Sequence, residues 1–239
     1  MRAVGFKEFG DPEVLEVMDI PEVSAGPGEI RIKNYASAVN PTDIVSRSGL
    51  ISQFRKDFPL PSVPGMDISG IVDQVGEGVE TDISIGDKVM GMVIPNELHG
   101  AYREQITLNQ FAVVKAPEGY SFAESSTLPM NGLTARLSLD LLNLNKGQVV
   151  AVTGGPGAYG GYVIQLAKAD GLTVIADSNE NDIELLNELG VDHIIQRGEN
   201  FSEKIKEVFP EGVDGIADGA LLNEKAIDAV KDNGSFTSV

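Results

Sequence analysis

The residues best arranged for chemistry lie in the run AVTGGPGAYGG, positions 151–161. Gly155, Gly157 and Gly160 have the spacing G-x-G-x-x-G, and Gly154 adds further backbone freedom. The apolar stretch QVVAV (148–152) precedes the run, the helix-patterned YVIQLAKAD (162–170) follows it, and LTVIA (172–176) comes next. Between a strand and a helix, such a turn lets backbone amides approach a pyrophosphate at the positive end of the helix. Asp177 closes the second strand, where a carboxylate would accept hydrogen bonds from ribose hydroxyls and repel a 2′-phosphate. Ser178, Asn179 and Arg197 would receive a 2′-phosphate if Asp177 turned away, while Glu180 and Asp182 oppose that. These residues alone favour NAD(H) over NADP(H). A glycine-rich packing turn is the competing reading of the loop, and a short acidic helix cap that of Asp177.

A second polar group, Asn40 and Asp43, stands in the run VNPTDIVSR. Asn40 suits the satisfaction of backbone groups where a strand gives way to a turn, and Asp43 suits capping a helix and pairing with Arg47 at i, i+4. His99 and His193 are far apart in sequence and read as structural or surface residues.

The elements that must position these groups fall into two textures. Residues 1–120 carry short runs rich in Val, Ile and Tyr: 14–20, 29–39, 68–76, 87–93 and 102–108. Gly, Pro, Asp and Asn separate them, as in a compact barrel-like β-domain. Residues 121–239 begin with helix starts at Ser121 and beyond Asn131, then alternate strand and helix. The pattern predicts a helix capped by Asn179 and running to Leu189, further helices at 201–209 and 224–232, and strands at 193–196, 213–218 and 235–239. Strands spaced by helices imply a parallel sheet covered on both faces. The alternation is still running at Val239, so a truncated C-terminus is expected.

Composition bounds the rest. The chain has 239 residues, 36 acidic against 18 basic, and a formal charge of -18. That field repels phosphate backbones and anionic membranes, which argues against nucleic-acid binding and a membrane role. No run approaches the roughly 18 apolar residues of a membrane span, and the N-terminus lacks the apolar core of a signal peptide, so a cytoplasmic location is expected. With no cysteine and two histidines, a disulfide, a thiolate nucleophile and a cysteine- or histidine-rich zinc site are all excluded.

Taken in order, VNPTDIVSRSG (39–49), VPGMDISGIVDQVGEGV (63–79), GDKVMGM (86–92), GAYREQITL (100–108), LPMNGLTA (128–135), the glycine loop, IQLAKADG (164–171) and ELGVDHII (188–195) resemble the medium-chain dehydrogenase/reductase superfamily. The resemblance is to its zinc-free quinone oxidoreductase branch. It implies an α/β fold with an N-terminal GroES-like β-barrel followed by a Rossmann-type doubly wound sheet. It also implies a homodimer at full length, a return of the chain to complete the first domain, and NADP(H) or NAD(H) as cofactor. It places Asn40 and Asp43 at the catalytic cleft and Thr134 facing the nicotinamide. Met66 stands where zinc-dependent relatives have a ligand histidine, and Asp67 matches its neighbouring acid. Tyr159 replaces a small aliphatic residue of the loop and Ala158 a glycine, changes that bear on how closely the backbone meets the pyrophosphate. Asp182 stands where a lysine, and Arg197 where a tyrosine, is common in NADPH-preferring relatives, so the cofactor choice stays open. Without a zinc Lewis acid, the implied substrate is already electron-poor, a quinone or an α,β-unsaturated carbonyl. An enoyl reductase of the same fold and a dinucleotide-binding protein with little turnover are the alternatives.

Overall fold

The computed structural model describes all 239 residues, Met1–Val239. The chain forms two compact units, Met1–Met130 and Asn131–Val239. No helix is long and apolar enough to cross a membrane.

The first unit is built from β1 (Arg2–Gly5), β2 (Glu16–Asp19), β3 (Glu29–Ala36), α1 (Pro41–Arg47), β4 (Asp67–Val75), β5 (Lys88–Met92), β6 (Gln105–Asn109), β7 (Val113–Lys115) and α2 (Phe122–Ser126). Strands β1 and β2 pair as a two-stranded ribbon, and the others form an antiparallel sheet in the order β6-β3-β4-β5-β7. Strands β6 and β7 lie at opposite edges, yet only Gln110–Ala112 join them. A flat sheet would separate those edges by four strand spacings, about 19 Å. Four residue steps reach only about 14 Å. The sheet must therefore curl toward closure, which is the barrel-like form expected. Inside it, Ile30 and Ile32 of β3, Ile68 and Val72 of β4, Val89 of β5 and Ile106 and Leu108 of β6 make one buried core. The period of two along each strand is what puts them on a common face.

Helix α2 packs against β3, β4 and β5. It therefore belongs with the first unit, although the change of texture after residue 120 assigned it to the second half. Its capping box is intact, with Ser121 Oγ accepting from Glu124 N and Glu124 accepting from Ser121 N.

The second unit follows α3 (Pro129–Leu142) with β8 (Val149–Thr153), α4 (Ala158–Ala169), β9 (Thr173–Ser178), α5 (Ile183–Glu188), β10 (His193–Gln196), α6 (Phe201–Val208), β11 (Val213–Asp218), α7 (Glu224–Ile227) and β12 (Val230–Ser238). All five strands are parallel, in the order β10-β9-β8-β11-β12. Val150 and Val152 of β8 pack with α3 and α4 on one face, while Ala151 joins Phe201, Ile205 and Ala226 on the other. The sheet is thus covered on both sides, as the alternation predicted. Chain order reverses at β8, with β9 on one side and β11 on the other, which creates a crevice outside the carboxyl ends of those strands.

Two elements differ from expectation. The stretch 224–232 is not one helix: α7 ends at Ile227 and β12 begins at Val230. Apolar residues at 226, 229 and 230 mimic a helical stripe, but pairing of Val230 with Val213 captures the segment for the sheet. A bulge follows at Asn233, with φ 64°, and Gly234, where a Cβ would lie 2.8 Å from the Asp214 carbonyl oxygen. Asn179 likewise makes no side-chain cap; it precedes a 3-10 turn, Glu180–Asp182, and α5 starts only at Ile183.

Candidate dinucleotide site and polar cluster

The glycine loop sits at the crevice, joining β8 to α4. Gly154 takes φ 67°, in the left-handed region that favours glycine. Gly160 is required by close approach, because a Cβ there would come 2.4 Å from the Gly154 carbonyl oxygen. Gly157 is the N-cap of α4 and exposed. The first amides of a twelve-residue helix have no partner within it and face outward at its positive end. Glycine backbone, helix start and switch point together fit the phosphates of a dinucleotide.

Tyr159, in the first turn of α4, does not cover this cradle. Its ring packs on Gly219, where a Cβ would stand 2.5 Å from Cδ1. Its hydroxyl is buried beside Ser138 and Thr237 without reaching good hydrogen-bond geometry, and burial pushes its pKa up. Ala158 is exposed beside Gly157.

At the end of β9, Asp177 is almost fully buried. One carboxylate oxygen accepts from Gly154 N at 2.6 Å and the other from Arg197 Nε at 2.7 Å. The acid expected at the ribose is therefore also a brace between the loop and β10, and Arg197 offsets its charge. The Arg197 side chain keeps 40% of its surface. Ser178 is buried, its hydroxyl donating to the Asn179 carbonyl at 2.7 Å, and Asn179 is exposed.

In the first unit, Asn40 and Asp43 form the capping box of α1. Asp43 accepts from Asn40 N at 2.8 Å, from Gly65 N at 2.8 Å and from the Tyr102 hydroxyl at 3.0 Å. That carboxylate is buried and fully engaged, so its geometry is that of a cap rather than of a group offered to substrate. Arg47 does not pair with Asp43; it donates to the Gly10 carbonyl. Asn40 Nδ2 donates to Asp67 at 2.6 Å, and Asp67 also accepts from Met130 N at 2.6 Å. Burial raises the Asp67 pKa against the lowering effect of those donors, and the Asp43 charge raises it further. Burial and the Asp43 charge likewise push the Tyr102 phenol far up. Met66 meets the Thr42 hydroxyl at its sulfur, 3.1 Å away. Thr134 lies half-buried on α3. His99 meets the Thr107 carbonyl oxygen and His193 lies edge-on to Phe209, both structural placements.

Three polar residues of these clusters escaped the sequence reading. Asp67 was read only as the match of a metal-site acid, and Tyr102 only as part of a strand. Asp218, fully buried at the end of β11, accepts from the Thr153 hydroxyl and from Leu222 N and Asn223 N. Its one visible signal is an acid ending an apolar strand, the same signal that marked Asp177.

Comparison with known proteins agrees with this geometry. Residues 26–135 match the family described as alcohol dehydrogenase GroES-like domain, and residues 158–239 the family described as zinc-binding dehydrogenase. The chain is 33% identical to a 2-methylene-furan-3-one reductase of Solanum lycopersicum, over 98% of this chain and 61% of that protein. It thus spans about three fifths of that relative's length. The solved quinone oxidoreductase of Coxiella burnetii superposes with a TM-score of 0.84 at 32% identity, over all of this chain and 75% of the other. An alcohol dehydrogenase superfamily protein of Novosphingobium aromaticivorans superposes with a TM-score of 0.91 at 28% identity, over all of this chain and 72% of that one. The chain belongs to the medium-chain dehydrogenase/reductase superfamily, within its zinc-independent quinone oxidoreductase-like branch.

Proposed function

We propose that the protein is an NAD(P)H-dependent reductase of conjugated carbonyl compounds, quinones or enones, working without zinc. One observation carries this reading. A dinucleotide cradle occurs in a chain whose former metal-site acid, Asp67, is held by the amide donors Asn40 Nδ2 and Met130 N, with Met66 beside it. A bound reduced nicotinamide supplies the hydride. With no cysteine and no histidine at the matched positions, charge developing on the acceptor must be carried by the acceptor itself. A quinone or enone delocalises that charge and a saturated ketone does not. Val39, next in sequence to Asn40, and Ile94, next to the Val93 whose N donates to the Met66 carbonyl, are apolar and 74% and 79% exposed, which suits a planar, weakly polar substrate. Asn40 and Asp43 serve here as positioning residues for α1, and Thr134 is proposed at the nicotinamide.

For the cofactor, the Arg197–Asp177 pair supports acceptance of NADPH, since a half-exposed guanidinium beside a neutralised acid favours a 2′-phosphate. Ser178 and Asn179 are the neighbouring candidates. Removing the charge in Arg197→Ala is expected to weaken NADPH about tenfold and to leave NADH little changed, measured by nicotinamide fluorescence.

The deciding assay follows oxidation of NADPH and NADH with a 1,4-quinone, an enone and the matching saturated ketone, with and without a zinc chelator. Turnover of the first two alone, indifferent to chelator, is expected. Reduction of the saturated ketone, or loss of activity on chelation, would overturn the reading. Tight dinucleotide binding with no turnover would favour the binding-protein alternative, which the engaged state of Asn40 and Asp43 also supports.

A further inference from the structure

The outer face of α3 is apolar where a surface helix ordinarily carries charge. Its inner face is made by Ala135, Ser138, Leu139 and Leu142, all buried, and the three apolar ones join the core that holds Val150 and Val152. At 3.6 residues per turn, Leu133, Leu137 and Leu141 fall on the opposite side, and each is more than half exposed. Their spacing of i, i+4, i+8 stands them one above the other as a single ridge. The ridge takes no part in the inner packing of the helix, and three leucines in a row are costly to leave in water.

The charges beside the ridge indicate what covers it. Arg136 and Asp140 are the charged residues of α3, and they lie on one flank of the ridge, one turn apart. The helix is thus neutral on a chain whose formal charge is -18. Two copies of such a chain repel one another, and a neutral face is where that repulsion is least. The ridge also reads the same from either end, with Leu137 at its centre. A two-fold axis beside Leu137 lays two such helices antiparallel, sets Leu133 against Leu141 of the other copy in both directions, and pairs Leu137 with its own equivalent. The same axis brings Arg136 level with Asp140 of the other copy, offset by two residue rises, about 3 Å. The Asp140 side chain is mostly exposed and has room for that second cation.

We infer that the outer face of α3 is a self-association surface, on which a second copy of this chain packs as an antiparallel, two-fold helix pair. Three leucines supply well under the roughly 800 Å² per partner of a standard interface. The pair is therefore reversible and forms at micromolar to millimolar rather than nanomolar concentration.

The chain contains no cysteine, so single introduced thiols report the geometry without background. Leu137→Cys should cross-link to itself under mild oxidation. Leu133→Cys and Leu141→Cys should each cross-link poorly alone and readily when mixed. Sedimentation equilibrium of the wild type should show the mass rising from 25.4 kDa toward twice that value across the micromolar to millimolar range. Leu137→Glu, at an exposed position, should keep the wild-type Tm and weaken association at least about tenfold, because two carboxylates then meet beside the axis. A wild type that stays monomeric at every concentration would overturn the pair and leave the ridge to a different partner. Association of Leu137→Glu as strong as that of the wild type, or Leu133→Cys cross-linking alone as readily as Leu137→Cys, would put the contact elsewhere and overturn it as well.

Discussion

Two buried carboxylates in the first unit show how differently one residue type is used. Asp43 is surrounded by donors from Asn40, Gly65 and Tyr102, whereas Asp67 meets Asn40 Nδ2 and Met130 N, and burial raises its pKa. A raised carboxyl pKa means that the folded state binds a proton more readily than the unfolded chain. Its stabilising part is therefore present at low pH and lost as pH rises from 3.8 through the folded value. Asp67→Asn is expected to lower Tm through a mispaired donor, with a deficit that narrows as pH rises through that window. Thermal melts across the acid range check this; a deficit that widens with pH would show the charged form to be the favoured one. In the second unit, Gly160→Ala places a methyl 2.4 Å from the Gly154 oxygen. It should cost about 1–3 kcal/mol of stability and abolish dinucleotide binding, read by chemical denaturation and fluorescence titration.

At the scale of elements, the parallel sheet is stapled at the start of its strands by Asp214. This residue of β11 accepts from Val149 N of β8 and from Gln148 just before it, and pairs with Lys231 of β12. Burial pushes its carboxyl up, but the Lys231, Val149 and Gln148 donors outweigh burial and hold it below 3.8. With a depressed pKa, the stabilisation is complete above 3.8 and lost as pH falls through the folded value. Asp214→Asn should therefore cost about 2 kcal/mol near neutrality, and the difference from wild type should shrink in acid. The same three strands explain why 224–232 misled as a helix. Its stripe of apolar residues has helical spacing, but the open edge of β11 offers a ladder that an isolated short helix cannot match.

For the whole molecule, two features set expectations. Each unit has its own buried cores, so unfolding should not be a single two-state transition. Calorimetry should resolve two transitions, with Gly160→Ala lowering one and Asp67→Asn the other; a single transition moved by both would refute independent units. The charge of -18 adds self-repulsion. Raising salt from about 0.01 M to about 0.15 M shortens screening from about 30 Å to about 8 Å, and Tm should rise with it.

What was legible in sequence follows from short-range rules. The spacing of Gly155, Gly157 and Gly160 between strand and helix, the alternation that builds a doubly covered sheet, and the capping signals at Ser121 and Asp43 each depend on neighbours a few positions away. Tertiary structure alone decided the partners of buried charge. Nothing near Asp177 in sequence announces Gly154 and Arg197, 23 and 20 positions away. Nothing near Asp67 announces Met130, 63 positions away. The curl of the first sheet and the capture of Val230 by β11 are likewise set by long-range pairing. A side chain's type limits which bonds it can make, but only the assembled fold determines which donors reach it once water has been excluded.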